Sequence, residues 1–200
     1  QELVQKGLGG FQVRNMESYG ILDAMGLTSR IVLDANIYTM NNRAEAFWMK
    51  KGILGDTVPL ELNAKELVHR NNKNSELTVY GYTPMMVSVQ CVQKTMDHCN
   101  HACVQYVLKD RYQKEFRGVC SCEFCYNTIY NALPTSLLKE KEKAHKLGVK
   151  AYRVSFTTET QQETEKIVRA FVDVYLRGQK PDGQMQTEET TKGHFQRGVE

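Results

Sequence analysis

Short apolar or β-branched runs alternate along the chain with stretches of helix formers, and this alternation is its first structural signal. The runs are Phe11-Gln12-Val13-Arg14, Arg30-Ile31-Val32-Leu33, Thr57-Val58-Pro59-Leu60, Leu77-Thr78-Val79-Tyr80 and Ala151-Tyr152-Arg153-Val154-Ser155-Phe156, and each predicts a strand. Between them, residues 17–25, 43–51, 65–70 and 137–147 predict helices. Three of these stretches run into Gly26, Gly52 and Gly148, which tolerate the positive φ at which helices commonly stop. Strand, helix, strand order predicts parallel strands, as successive units of a barrel or of an open α/β sheet. The last helix has the clearest signature. Thr160 with Glu163 matches a capping box, and Ile167, Val168, Phe171, Val174 and Tyr175 share one face before Gly178.

Residues 84–126 break that rhythm. Val104-Gln105-Tyr106-Val107-Leu108 and Phe116-Arg117-Gly118-Val119 read as a β-hairpin inserted before the final units. Residues 179–200 form a polar C-terminal tail without periodicity, expected on the surface.

Composition narrows the class. A chain of 200 residues with 41% hydrophobic and 24% charged positions, 14 Gly and 4 Pro, fits one globular domain and excludes collagen-like and broadly disordered classes. The net charge of +3 is too near balance to mark a general polyanion binder. No stretch approaches the roughly 18 uninterrupted apolar residues a membrane helix needs, and the start shows no signal core, so a soluble, cytoplasmic chain with no membrane partner is expected. Because it begins at Gln1 rather than Met, it reads as a piece of a longer protein.

Cysteine placement carries the most chemistry. All six lie between Cys91 and Cys125, in the spacing Cys91-x7-Cys99-x3-Cys103-x16-Cys120-x-Cys122-x2-Cys125, with His98 and His101 beside the middle pair. Disulfide staples suit small secreted domains that cannot bury a core, and this chain is larger than that. A tetrahedral zinc site takes four thiolates or imidazoles at close spacing. An iron–sulfur cluster takes four thiolates and could draw on Cys91, Cys99, Cys103 and one of Cys120, Cys122 and Cys125. Free buried thiols, behaving as small hydrophobes, are the remaining alternative.

A second candidate site lies at the strand ends, where parallel sheets gather their ligands. Arg14, Asn15, Asp34, Asn36, Glu61, Asn63 and Arg153 should stand near that rim. Asn15 and Asn63 also suit helix N-caps, Asp34 a strand–helix turn, and Arg153 a pair with Glu61. Glu61, Asp34 and Arg153 are the catalytic candidates. No serine nucleophile elbow, zincin helix, phosphate loop or dinucleotide fingerprint occurs.

The run Tyr80-Gly81-Tyr82-Thr83-Pro84-Met85-Met86-Val87-Ser88-Val89-Gln90-Cys91, then Leu108-Lys109-Asp110-Arg111, Phe116 and Cys120, resembles the later part of peptidase family U-32, the collagenase-like peptidases. Glu61-Leu62-Asn63, Ile129-Tyr130-Asn131 with Leu133-Pro134, Gly148-Val149-Lys150-Ala151-Tyr152-Arg153 and Thr191-Lys192-Gly193-His194-Phe195-Gln196-Arg197-Gly198-Val199 are similar to it as well. The resemblance implies an α/β fold in the form of a partial (β/α) barrel-like parallel sheet, its second half, with a cysteine-rich β-hairpin insertion. It implies a peptidase acting on collagen or peptides. Relatives assist hydroxylation of RNA and of ubiquinone precursors, and some bind a four-iron–four-sulfur cluster on four cysteines. Carried over by position, Cys91, Cys99 and Cys103 would be cluster ligands and Cys120, Cys122 or Cys125 the fourth, with zinc as the alternative metal. A half barrel would expose an apolar flank, to be covered by the missing N-terminal half or by a second copy as a homodimer. A peptide or RNA would be the substrate. For peptide cleavage, a metal with an open position beside Glu61 or Asp34 would activate water.

Overall fold

The computed structural model describes residues 2–97, 99–181 and 189–198. In chain order its elements begin with α1 (Glu2–Gln5), β1 (Phe11–Val13), α2 (Met16–Ala24), β2 (Ile31–Leu33), α3 (Asn42–Lys50), β3 (Gly55–Thr57), α4 (Ala64–Leu67) and β4 (Ser75–Gly81). There follow β5 (Pro84–Ser88), α5 (Val92–Thr95), β6 (Gln105–Lys109), β7 (Glu115–Ser121), β8 (Tyr126–Tyr130) and β9 (Thr135–Ser136). The last are α6 (Lys141–Lys146), β10 (Ala151–Val154), α7 (Gln161–Phe171) and α8 (His194–Arg197). The chain divides into two units. The first comprises Gln1–Val79, Lys139–Arg153 and Lys192–Glu200, the second Tyr80–Leu138 and Val154–Thr191.

The first unit is built on a parallel sheet in the order β1-β2-β3-β4-β10. Val13 pairs with Leu33, Leu33 with Asp56, and Thr57 with Glu76, so side chains of matching parity form two faces. One face carries Val13, Ile31 and Leu33, which pack with Tyr19, Trp48 and Ile53 into the core. Each such side chain stabilises by about 1.5–3 kcal/mol when fully buried. Tyr19 and Trp48 meet edge to face at 4.9 Å. The helices start where their asparagines dictate. The Asn15 side chain accepts from the Ser18 N–H, Asn41 from Arg43 and Ala44, and Asn63 forms a capping box with Glu66.

The core-side positions Asp56 and Ser75 are polar, yet they are satisfied. Asp56 is buried against Arg70, Thr39 and Ser75, and Arg70 also donates to the Thr39 carbonyl at 2.8 Å and to Asn72 Oδ1 at 2.9 Å. A buried ion pair is tolerated only with such complete hydrogen bonding.

Three expectations shift. The third strand is Gly55–Thr57, earlier than the Thr57–Leu60 run suggests, because Pro59 has no N–H for the ladder. Its first residue must be glycine, since a Cβ there would collide with the Asn74 carbonyl. The helix expected over 137–147 is a 3₁₀ turn at Leu138–Glu140 followed by α6. Part of the tail is ordered: α8 buries Phe195, while residues 182–188 lie outside the described residues.

The second unit holds an antiparallel sheet in the order β5-β8-β7-β6. The expected hairpin is present as β6 and β7, paired from Gln105–Val119 to Lys109–Glu115, and Asp110 Oδ1 fastens its turn by accepting from Tyr112 and Lys114. The insertion is larger than a hairpin, since β5 and β8 extend it to four strands. Here β9 pairs with the end of β4 at Tyr80 and Gly81. Helix α7 starts at the Thr160–Glu163 capping box, and its Phe171, continued by Tyr175 in a π-helical turn, packs near Tyr80. The result is a mixed α/β fold with a mainly parallel six-stranded sheet, to which β9 adds antiparallel to β4, and a four-stranded antiparallel sheet; among the described residues β1 and β10 are the ends of the parallel path.

Candidate metal centre and strand-end group

The cysteine segment brings three donors to one point. Cys99 and His101 lie in the loop between α5 and β6, and Cys122 opens the 3₁₀ turn that follows β7. Their ligand atoms all lie within 4.8 Å of one another. Around a tetrahedral zinc ion, with bonds of 2.0–2.3 Å, donors sit roughly 3.3–3.8 Å apart, so a small contraction would close this group on one ion. His101 is exposed, which leaves the position reachable from solvent, and Cys122 is the most enclosed of the three donors.

A thiol pair stands on the neighbouring residues. Cys91 caps the N-terminus of α5 and Cys120 lies on β7, both are buried, and their sulfurs are 3.4 Å apart. The backbone N–H of Lys94, then the Cys120 thiol, holds Cys91 below the ordinary thiol value. Burial and then Cys91 push Cys120 up to about 12. The two thiols are thus shifted in opposite directions, and either sulfur can donate to the other. Burial, then Cys99, also raises Cys122. Cys125 Sγ points back to the Cys122 carbonyl at 3.7 Å. Cys103 is exposed and stands outside the three-donor group.

The structure therefore joins Cys99 to Cys122 and Cys91 to Cys120, but does not bring the Cys99-x3-Cys103 pair to one point. His101 belongs to the group although the cysteine-only ligand set omits it. Its signal in the sequence is its position two residues after Cys99, which lets one short loop aim both donors the same way. His98 lies outside the described residues.

The strand-end candidates, all in the first unit, divide. Asp34 and Arg153 are together: Arg153 Nη2 is 3.0 Å from Asp34 Oδ1, 2.6 Å from Glu76 Oε1 and 2.5 Å from Thr57 Oγ1. Arg14 Nε adds a second guanidinium 3.0 Å from Asp34 Oδ2, and Gln12 donates to both Asp34 and Glu76. With two arginines and two carboxylates the group is neutral, and both Asp34 oxygens are engaged, which suits a positioning scaffold better than a free base. The expected Arg153–Glu61 pair does not form. Instead Arg153 takes Asp34 and Glu76, a partner that sequence reasoning missed, and Glu61 Oε2 is buried without a hydrogen-bond partner among the described residues. Glu76 follows Thr57 on the sheet by register, information no single strand contains.

No family model matches the chain, nor does any curated protein or solved structure. Among the described residues no helix is long and apolar enough to cross a membrane.

Proposed function

We propose that the chain is a metalloprotein of the U-32 kind, a collagenase-like peptidase homologue whose cysteine-rich sheet holds one metal ion on Cys99, His101 and Cys122. The carrying observation is the convergence of those three donor atoms within 4.8 Å. Two thiolates and an imidazole suit zinc, and their closeness favours a single ion over a cubane, which spreads its ligand sulfurs over several irons. The fourth position falls to solvent or to a neighbouring thiol. Open to solvent, it would suit the hydrolytic reading, because three protein ligands plus water is the arrangement of catalytic zinc. Two thiolates neutralise the dication, however, so its hold on a carbonyl oxygen is weaker than that of an all-histidine site. Closed by Cys120 or Cys125, the ion would instead brace the insertion.

A second reading, an iron–sulfur protein assisting hydroxylation of RNA or another substrate, is favoured by the additional Cys91–Cys120 pair. In either case Asp34 holds Arg153 at the strand ends, where a guanidinium suits an anionic substrate group.

Anaerobic purification followed by metal and sulfide analysis decides between the readings. One zinc per chain, lost in Cys122→Ser and in His101→Ala but kept in Cys103→Ser, is the expected result. Iron with stoichiometric sulfide supports the second reading, and a chain that takes up neither metal rejects both. A collagen-peptide cleavage assay of the zinc-loaded protein, with Glu61→Gln as control, tests the peptidase assignment separately.

A further inference from the structure

The antiparallel sheet of the second unit has a hollow in one of its faces, and the register explains it. Met86 pairs with Ile129, Ile129 with Gly118, and Gly118 with Tyr106, so these four residues form one row across all four strands on a common face. The third member has no side chain. A Cβ on Gly118 would collide with the Tyr106 ring, which leans into the space the glycine leaves. Ser88, Asn127 and Cys120 form the adjacent row.

Helix α5 roofs this face. Val92, Thr95 and Met96, at the i, i+3 and i+4 spacing that shares one helical face, line the same cavity as Met86, Leu108 and Ile129. The cavity has a volume of about 300 Å³. That lies at the lower end of the range occupied by small-molecule sites. Its walls are methionine and branched aliphatic side chains, a surface that adapts to the shape of an apolar guest.

Ser88, Gln90, Thr95, Tyr106 and Asn127 are the polar members of the lining; the Ser88 hydroxyl accepts from the Gln90 N–H and the Thr95 hydroxyl donates to the Cys91 carbonyl, which leaves two groups unspent. Asn127, only 1% exposed, has its orientation fixed by donating Nδ2–H to the Gln90 carbonyl at 2.8 Å, which leaves Oδ1 as an acceptor without a partner among the described residues. The buried Tyr106 hydroxyl, a donor, also has no partner there. Both residues line the cavity. A buried acceptor or donor left unpaired costs about 1–3 kcal/mol, a cost that a ligand completing both bonds would remove. None of the described residues lining the hollow is a cation, so a negatively charged head would lose its hydration there without gaining a counter-ion.

We propose that this cavity is a binding site for a small neutral molecule with a cyclic or branched hydrocarbon body and one head group that both donates and accepts a hydrogen bond, such as a primary amide. The head donates to Asn127 Oδ1 and accepts from the Tyr106 hydroxyl, while the body lies against Met86, Met96 and Ile129. Recognition of this kind discriminates strongly against analogues that lack one of the two bonds. The site is independent of the metal reading, since none of Cys99, His101 and Cys122 lines it.

The test titrates the full chain, as purified, with cyclohexanecarboxamide, its methyl ester counterpart methyl cyclohexanecarboxylate, and the cyclohexanecarboxylate anion, followed by amide NMR correlation spectra. The carboxamide should bind saturably in the millimolar range or tighter and shift the signals of Tyr106, Gly118 and Asn127. The ester, which cannot donate, should bind about tenfold more weakly, and the anion more weakly still. Tyr106→Phe removes a hydroxyl that has no hydrogen-bond partner among the described residues, so the fold should hold while carboxamide affinity falls about tenfold. Met96→Trp, at a side chain that is mostly exposed, fills the cavity from its rim and should abolish binding. Equal affinity for amide and ester, undiminished binding in Met96→Trp, shifts confined to other residues, or no saturable binding at millimolar concentration would each overturn the proposal.

Discussion

The Asp56 network of the parallel sheet and the hollow face of the antiparallel sheet handle buried polarity in opposite ways, although Glu61 Oε2 and Arg153 Nε in the first unit are also buried without a partner among the described residues. In the parallel sheet, Asp56, Arg70, Thr39, Ser75 and Asn72 are buried together and pair among themselves. In the antiparallel sheet, Tyr106 Oη, Asn127 Oδ1 and two thiol groupings are gathered in a segment that, among the described residues, offers the first two no partner. Closed networks specify and rigidify a fold, whereas groups brought together but left with unused bonding capacity mark a surface prepared for something else. The first network therefore suits scaffolding, and on the proposed reading the second segment is where a ligand would be held.

Cutting the closed network should have the largest effect. Asp56→Ala leaves the Arg70 guanidinium buried and unpaired, and should lower unfolding free energy by about 3–5 kcal/mol in denaturant titration. A loss below about 1 kcal/mol would remove the distinction drawn between the sheets. Next in size is the response of the cysteine segment to metal. Adding zinc to the apo chain should slow hydrogen exchange around Cys99, His101 and Cys122 and release protons. Because the unmetallated Cys122 thiol lies above its ordinary value, affinity should rise with pH as thiolate becomes easier to form. Exchange that is unchanged by metal would count against a centre there.

Gly118→Ala should cost about 1–3 kcal/mol, read as a fall in Tm, because the added methyl displaces the Tyr106 ring from the sheet face. Thr160→Ala, which removes the side-chain acceptor of the α7 capping box, should cost about 1 kcal/mol without altering metal content. The smallest effect concerns Glu140. Burial alone would raise its pKa, but the ammonium groups of Lys143 and Lys192 outweigh burial and hold it below the ordinary 4.5. A carboxylate lowered on folding contributes stability that is complete above its unfolded value and is lost as pH falls through the folded one. The Tm difference between the native chain and Glu140→Gln should therefore be present at neutral pH and vanish below about pH 4.

Much of this was legible locally. The Thr160–Glu163 capping box, the asparagine caps at Asn15 and Asn63, and the β6–β7 hairpin all depend on residues a few positions apart, and they form where the spacing says. The cysteine segment was legible as a metal candidate for the same reason. Its ligand set was not. Cys103, four positions from Cys99, is exposed and outside the group, while Cys122, twenty-three positions on, joins it, because the β6–β7 hairpin returns the chain to the loop that carries Cys99 and His101. The Arg153 partner was hidden similarly: the sequence reading pairs it with Glu61, and sheet register brings Glu76 to it instead.

The sequence by itself determined most of the alternating strands and helices of the first unit, the helix caps, the β6–β7 hairpin and which segment concentrates thiols, since propensity, capping and periodicity act over a few residues. Only the tertiary structure decided which donors share a point, which carboxylates Arg153 holds, and that Gly118 opens a hollow over which α5 closes. Those outcomes follow from strand register and chain reversal, which couple residues tens of positions apart and which local physics leaves undetermined.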